Sequence, residues 1–569
     1  QADGSGQPAS PPRWPMKRRL DMGSTSSSRI EAAPESHEED IAAAWRKRAR
    51  CLGIHPRVAE AGFSSACNPP PTERDSDTLR VLQWNLLADG LSADGFLVNP
   101  ALEAWPAPLD CVPTSPCDAA GGSGEPAHVP METMLQQMME AKADASNAAS
   151  RLAALRSKYD TEWAQRNLAA TIDWHGRWLR MQRRIAALRP DIITLQEVDH
   201  LPEVQESLAL MGYTCGSARY RPYHLGQAAG AKQPRPVAFE CSAPGLSNAL
   251  RHRVLRRFGE PLVDEAVRAM VGEEAPAAPS AELKAVMKSE AFLAAGGTAR
   301  LLSRLLEMDA AANGSAGGAG SAADGACAED FDDDGYAIFW LSERFEAERI
   351  DRLGLAESGG AVRVTLCERG NKGRRLHIVT SHLSSGAGAK EEEKRLRQLS
   401  GTTTAASDTD APVEGLLGWV MRLPVHEACV FALDANSRPH PEAGGNVWRS
   451  CHADPSLRSV WDEHFDASGV SLLPTCPCEG GATHLDPPVS VNKLRGPLSD
   501  QPKKIGEHAY ELIDHVFLRG PLQLVRHALP PVRFASAADA RRQLIPDASA
   551  NPSDHYPVAV DLAWGGGGG

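Results

Sequence analysis

Polar residues recur where apolar runs end. Asn85 closes Leu79-Arg80-Val81-Leu82-Gln83-Trp84-Asn85, and Glu197 follows Asp191-Ile192-Ile193-Thr194-Leu195-Gln196. His382 follows Leu376-His377-Ile378-Val379-Thr380-Ser381, and Asp434 and Asn436 follow Cys429-Val430-Phe431-Ala432-Leu433. Asp514 lies within Leu512-Ile513-Asp514-His515-Val516-Phe517, and Asp554 and His555 precede Pro557-Val558-Ala559-Val560. One such residue alone reads as a solvated loop position. Several at the strand ends of one sandwich edge can converge in space. Carboxylates, amides and imidazoles together suit hydrolysis of a phosphate ester, where the work is to place water and neutralise charge on the non-bridging oxygens. Oxygen donors without cysteine suit Mg²⁺ or Mn²⁺ rather than zinc. Such an ion acts as a Lewis acid on the phosphoryl oxygen, and histidines donate to the others.

The elements that must position these groups are legible as strands and helices. Leu79–Asn85 and Asp191–Glu197 read as buried strands. Between them, Trp178, Met181, Ile185 and Leu188 recur at helical spacing over 174–188, and Pro190 stops that helix. Strands are expected at Tyr336–Leu341, Val362–Cys367, Leu376–Ser381, Ala428–Leu433, Glu511–Leu518 and Pro557–Leu562. Helices are expected at Lys390–Leu399 and Val413–Met421. Residues 1–77 are polar, with Ser, Pro and Gly clusters and one helix-like run near Ile41–Leu52, and read as a disordered leader. Insertions are expected at about 93–165 and 225–330. The first holds a Pro-rich piece, Pro106–Pro130, and a helix near Glu132–Tyr159. The second holds a helical stretch, Pro279–Met308, and a low-complexity run, 311–318. Strands and helices alternate without regular βαβ spacing, which favours a mixed-sheet α/β sandwich over a doubly wound parallel sheet.

Composition narrows the classes. The 569 residues are 42% hydrophobic and 23% charged, which excludes a wholly disordered, collagen-like or coiled-coil chain. Lys+Arg 60 against Asp+Glu 73 gives a net charge of −13, so the chain is not built for non-specific wrapping of nucleic acid. A polyanionic substrate must meet a local basic rim, and Arg395, Arg397, Lys493, Arg495, Lys503 and Lys504 are the candidates. The longest apolar stretch, Val413–Leu433, is broken by Arg422, His426 and Glu427, so no membrane span is expected. The 12 cysteines are scattered, with Cys476-Pro-Cys478 the tight pair, and read as reduced thiols of an intracellular, cytoplasmic protein. The basic cluster Met16-Lys17-Arg18-Arg19-Leu20 reads as a solvated tail and leaves a nuclear address open.

In its ordered motifs the chain resembles the endonuclease/exonuclease/phosphatase (DNase I-like) superfamily, and within it the branch of nocturnin, the carbon catabolite repression-type deadenylases and Angel proteins. The residues that carry the resemblance are Gln83-Trp84-Asn85-Leu86-Leu87-Ala88, Leu195-Gln196-Glu197-Val198, Asp334-Gly335-Tyr336-Ala337-Ile338-Phe339, Thr380-Ser381-His382-Leu383, Leu433-Asp434-Ala435-Asn436, Leu512-Ile513-Asp514-His515 and Ser553-Asp554-His555. It spans about 79–562 apart from the two insertions. It implies a four-layer α/β sandwich of two packed mixed β-sheets flanked by helices, forming one catalytic domain over 78–565 with a glycine tail, 566–569.

The resemblance also implies roles. Glu197 would be the principal Mg²⁺ ligand, with Asn85 and Asp554 beside the metal or its waters. Asp434 would orient or deprotonate the attacking water, and Asn436 would hold that water and the scissile phosphate. His382 and His555 would donate to phosphate oxygens from two sides, with His555 oriented by Asp514. Lys493 and Arg495 align with a basic pair that binds a second phosphate, and Arg395 belongs to an Arg/Lys-x-x-Gln element. Two departures stand out. The chain reads Leu383-Ser384-Ser385-Gly386 where nocturnin-like enzymes carry basic residues, and Asn492 stands where a Trp is expected. The implied activity is a 3′ exoribonuclease acting on poly(A). The alternative is a phosphatase on a small phosphorylated molecule such as a nucleotide 2′-phosphate. A catalytically inactive scaffold that binds protein partners through its insertions is the reading from a different class.

Overall fold

The computed structural model describes residues 78–91, 131–143, 171–219, 259–271, 335–356, 359–402, 413–439, 446–472, 487–496, 504–547 and 551–565, with scattered positions between them. The leader, the Pro-rich piece, the low-complexity run, the Cys476 and Cys478 pair and the glycine tail lie outside these residues.

Strands β1 (Leu79–Asn85), β2 (Ile192–Gln196), β3 (Tyr213–Arg219) and β4 (Gly335–Leu341) belong to one sheet. Strands β5 (Phe345–Gly354), β6 (Gly360–Glu368), β7 (Asn371–His382), β8 (Ala428–Asp434) and β9 (Arg458–Ser459) belong to a second. A two-stranded ribbon, β10 (Val491–Leu494) with β11 (His508–Glu511), precedes β12 (Asp514–Arg519), which returns to the second sheet. Strands β13 (Leu522–His527) and β14 (Val558–Trp564) return to the first. The first sheet is six-stranded in the order β13-β14-β1-β2-β4-β3, and the second is six-stranded in the order β9-β12-β8-β7-β6-β5. Each has one central parallel pair, β1 with β2 and β7 with β8, flanked by antiparallel neighbours. Two mixed sheets that pack face to face and carry helices outside form the expected α/β sandwich.

Alternation along β1 explains the layering. Leu79 and Val81 join Ile192, Ile338 and Trp340 against the second sheet, whereas Leu82 and Trp84 pack with helices α1 and α2 of the domain's flank, Trp174–Leu188 and Leu201–Leu210. Gln83 and Asn85 share the face of Leu79 and Val81, so both amides enter the layer between the sheets. Helix α1 starts at its N-cap Asp173, whose side chain accepts from the Gly176 amide. On the far side, α3 (Ala389–Ser400), α4 (Leu416–Met421) and α5 (Asn446–His452) bury Leu399, Trp419, Val420, Val447 and Trp448 against the second sheet.

Several expectations shift in detail. Val413–Met421 is not one helix: Val413–Glu414 pairs with Gly401–Thr402 before α4 starts. Gly415 makes that junction, because a Cβ there would meet the Ser400 carbonyl carbon at 2.2 Å. The run Glu511–Leu518 is two strands, because Ser490 Oγ accepts from the amides of Ile513 and Asp514 where the chain passes from ribbon to sheet. Strands β3, β5 and β13 were not read from the sequence; all three are sheet edges, and β5 and β13 carry exposed positions along their length. In the first insertion a helix spans Met131–Ala143. In the second, a helix at Glu260–Val271 buries Val263, Ala266 and Val267 with Val254, Phe292, Leu301 and Leu305 in a core of their own.

At the end of the first sheet where β1 begins, buried charges are matched. Arg80 Nε and Nη2 donate to the two oxygens of Asp561 at 2.7 and 2.9 Å, and the Arg80 amide donates to Asp191. Arg344 also meets Asp191, and Arg526 meets Asp561.

Candidate active site

The register of the two parallel pairs delivers the donors to one place. Asn85 lies opposite Gln196, and Glu197 follows at the next residue; His382 lies opposite Asp434, and Asp434 opposite Asp514 on its other side. Cross-sheet hydrogen bonds join the two groups. Asn85 Nδ2 donates to Glu197 Oε1 at 3.0 Å within its own sheet and to Asp434 Oδ2 at 2.9 Å in the other. Gln83 Nε2 donates to Asp514 Oδ1 at 2.7 Å, and Gln196 Nε2 to Thr380 Oγ1 at 2.7 Å. Asn85, Glu197, Asp434, Asp514, Asp554 and His555 are buried, whereas His382, Asn436 and Lys493 are partly exposed and mark the opening.

Asp434 is the hub. Its Oδ1 accepts from the Asn436 amide at 3.0 Å, and its Oδ2, beside Asn85, lies 3.4 Å from His382 Nε2 and 3.7 Å from His555 Nε2. His555 Nδ1 donates to Asp514 Oδ2 at 2.8 Å. Burial alone would lower the His555 pKa, but Asp514, Asp554 and Asp434 outweigh it and push it up to about 9, so the ring is an imidazolium at neutral pH. The Asn436 side-chain Nδ2 donates to Leu383 O at 3.1 Å and lies 2.8 Å from His382 Nε2.

Backbone strain is concentrated here. Among the described residues, the non-glycine positions with positive φ are Leu87 (56°), Arg189 (47°), Glu197 (55°) and Asn436 (48°). Arg189 caps a helix; the other three lie in the loops that carry the site. Residues persist in that region only where their surroundings over-determine them, a pattern common at binding and catalytic loops. Here the Leu87 amide donates to Asn85 Oδ1 and the Ala88 amide to Glu197 Oε2.

Asp554 carries the clearest vacancy in polar pairing. Lys493 holds its Oδ2, while Oδ1 is buried with no hydrogen-bond partner. Against the effect of its burial, Lys493 and His555 hold the Asp554 carboxyl well below the usual carboxylate range. Lys493 is raised in turn by Asp554 and, to a smaller degree, by Glu197, although burial opposes this. A single ammonium thus lies in the field of both carboxylates. An unpartnered buried carboxylate oxygen within an all-oxygen donor set fits a hard divalent cation. Asp434, Asp514 and His555 also place ligand atoms within 4.8 Å of one another. Within that trio Gln83 holds Asp514 Oδ1 and His555 Nδ1 donates to Asp514 Oδ2, so Asp514 orients the imidazolium.

The remaining expected residues separate. Lys493 reaches the site through Asp554. Arg495 lies on the same ribbon edge with its guanidinium 5.2 Å from the Phe96 ring. Arg395, expected to contact substrate, is buried: Nε donates to Glu392 and Nη1 to the carbonyls of Ser384 and Gly386, so it anchors the loop after His382. Asn492 is buried too and donates to Ala540 O and Gln543 O, so a stacking aromatic has no place at this position. His515, one residue past Asp514, faces the other way. It donates to Ser437 O, and burial lowers it to about 4.

Several residues essential to the arrangement escaped sequence reading. Gln83 fixes Asp514, Ser490 holds the Ile513 and Asp514 amides, and Ser553 donates to Asn85 O while accepting from the His555 amide. Two amides, Gln83 and Gln196, were visible as polar residues on the inward face of otherwise apolar strands, two and one positions before a named donor.

No protein-family model matches the chain, and no curated protein matches it in sequence. Among solved structures it is similar to the human Nocturnin catalytic domain with bound sulfate anion, at 12% identity over 87% of this chain and 99% of that one, TM-score 0.37. It is similar to ANGEL2, a 2′,3′-cyclic phosphatase, in complex with adenosine-2′,3′-vanadate, at 12% identity over 86% and 98%, TM-score 0.38. It is also similar to D. rerio TDP2 complexed with single strand DNA product, at 12% identity over 86% and 99%, TM-score 0.32.

Proposed function

We propose that this chain is a divalent-metal-dependent phosphoester hydrolase, and specifically a 3′ exoribonuclease of the poly(A)-shortening kind. The observation that carries the hydrolase reading is the convergence of Glu197, Asp434, Asp514 and Asp554 with His382, His555 and Asn436 from the ends of both sheets. RNA is favoured among phosphoesters by the ordered motif set read in the sequence. Mg²⁺ or Mn²⁺ held by Glu197 and Asp554, with Asn85 and Asp434 beside it, would supply Lewis-acid neutralisation of a non-bridging phosphate oxygen.

The side chains do the rest. Asp434, fixed by the Asn436 amide and by Asn85, accepts a hydrogen bond from the attacking water and takes its proton. The His555 imidazolium, oriented by Asp514, donates from Nε2 to a phosphate oxygen as charge builds there. Asn436 and His382, hydrogen-bonded to each other at the mouth, exchange that bond for contacts to water and phosphate. His382 Nε2 turns to a phosphate oxygen once the Asn436 side chain leaves it. Asn85 acts through its N–H groups, holding Glu197 and Asp434 at a set separation across the sheets. The cytoplasm is the proposed place of action.

The test is a substrate panel of oligo(A), oligo(U), abasic DNA and NADPH in one Mg²⁺ buffer, with Glu197→Ala and Asp434→Asn as blanks. Shortening of oligo(A) that stops in EDTA and in both variants is expected. Hydrolysis of NADPH with RNA left intact replaces the exonuclease reading with the small-molecule phosphatase. No turnover of any substrate refutes the hydrolase.

A further inference from the structure

The carboxylates of the site are held by loops, and the loops are held by a buried arginine that sequence reading passed over. Arg177, Arg180 and Arg184 are spaced three and four residues apart, so they form one row on helix α1. Arg177 is fully buried, and each hydrogen bond recorded for its guanidinium goes to a backbone carbonyl: Nε to Ile172 at 3.0 Å, Nη1 to Leu86 at 2.7 Å and to Pro552 at 3.4 Å, Nη2 to Leu87 at 2.8 Å. Two of those carbonyls belong to the loop whose next amides hold Asn85 and Glu197. Another lies two residues before Asp554, and Ser553 between them donates to Asn85 O at 2.6 Å.

We infer that Arg177 is a positioning residue for the proposed reaction: its planar fork ties the 86–88 loop to the 552–554 loop and so sets where Glu197, Asn85 and Asp554 stand relative to one another. A guanidinium is needed because one rigid plane must address carbonyls in three chain segments at once; an ammonium offers its donors from a single nitrogen. Arg180 is the natural control. It is equally buried, and its guanidinium bonds Asp547 O, Thr171 O and Gly176 O, carbonyls that lie outside the 86–88 loop. The inference rests on the hydrolase reading for its functional meaning and on geometry alone for the clamp.

The test compares Arg177→Lys with Arg180→Lys in the full chain. Readouts are Mn²⁺ affinity by calorimetry, kcat and KM on bis(p-nitrophenyl) phosphate, hydrogen exchange of the 85–88 peptide, and melting temperature. Both variants are expected to melt lower. Only Arg177→Lys should weaken Mn²⁺ binding at least tenfold, lower kcat at least tenfold with KM within twofold, and speed exchange over 85–88. Equal Mn²⁺ affinity in the two variants overturns the clamp, whatever their stability. If wild type binds Mn²⁺ without hydrolysing any phosphodiester, the hydrolase reading falls, and the affinity and exchange readouts still decide the clamp. Arg177→Met is the second variant: if Arg177→Lys fails to fold while Arg177→Met folds and binds Mn²⁺ as wild type does, the clamp is also refuted.

Discussion

The two ends of strand β1 treat buried charge in opposite ways. Where β1 begins, Asp561 and Asp191 are matched by Arg80, Arg344 and Arg526 in direct, partly bidentate contacts. Where it ends, Glu197, Asp434, Asp514 and Asp554 share Lys493, the His555 imidazolium and, at longer range, Arg495, and one Asp554 oxygen stays unpaired. Burial of an uncompensated charge is costly, so folding alone explains the first end and not the second. Matched charge serves structure; a buried surplus of one sign, held in place by neutral amides, marks a candidate functional site. The same contrast separates two histidines on neighbouring positions of the sandwich. His555 among carboxylates is pushed up to about 9, and His515 without a directly bonded carboxylate is lowered to about 4.

The strongest way to break this comparison is to neutralise each end in turn. Asp434→Asn or Glu197→Gln should cut turnover by about 10³-fold or more, because each removes a group worth several kcal/mol at the transition state. In EDTA the same variants should melt at or above the wild-type temperature, since like charges are relieved. A melting temperature that falls instead makes the site end another structural network. Arg80→Ala should behave in the reverse sense. Removing one partner of a buried pair costs about 3–5 kcal/mol in urea unfolding, with kcat of the folded fraction unchanged. Loss of kcat without loss of stability would erase the distinction between the two ends.

A smaller effect comes from the cation itself. Mg²⁺ or Mn²⁺ at about 100 times its dissociation constant should stabilise the protein by about 2.7 kcal/mol, an effect reversed by EDTA and removed by Asp554→Asn. An equal shift in Asp554→Asn places the ion elsewhere. The smallest expected effect concerns His515. Its folded pKa lies below its unfolded value, so the unfolded chain binds more protons as pH falls. Its contribution is present above about pH 6.5 and is lost toward pH 4, amounting to about 2 kcal/mol between pH 7 and 5. His515→Gln should flatten that part of the urea-stability profile, and an unchanged slope would show that His515 is not buried neutral.

Much of the scaffold was legible because its signals are local. Helix α1 runs over Trp174–Leu188 as its apolar spacing predicts, and β1, β2, β7 and β8 stand where buried apolar runs stood. Edge strands were missed because half their residues face solvent and dilute the pattern; β5 and β13 show alternating exposure. In the site, the residues with charge or an imidazole were named, while their supports were not. Gln83, Ser490 and Ser553 carry no chemical signature of their own, and Arg177 reads as one more polar residue on an amphipathic helix. Arg395 shows the opposite error: a basic residue in a familiar spacing whose guanidinium is enclosed by its own loop.

The order of strand-ending donors, the mixed-sheet class and the expectation of a hard cation follow from residue types and their spacing, because strand periodicity and ligand chemistry are properties of short segments. Which oxygen stays unpaired, which histidine is charged and which arginine holds the loops depend on groups hundreds of residues apart meeting in a dry interior. Gln83 meets Asp514, and Arg177 meets Pro552, only after the sheets have packed. Electrostatic energies in such an interior turn on ångström separations that no one-dimensional pattern encodes.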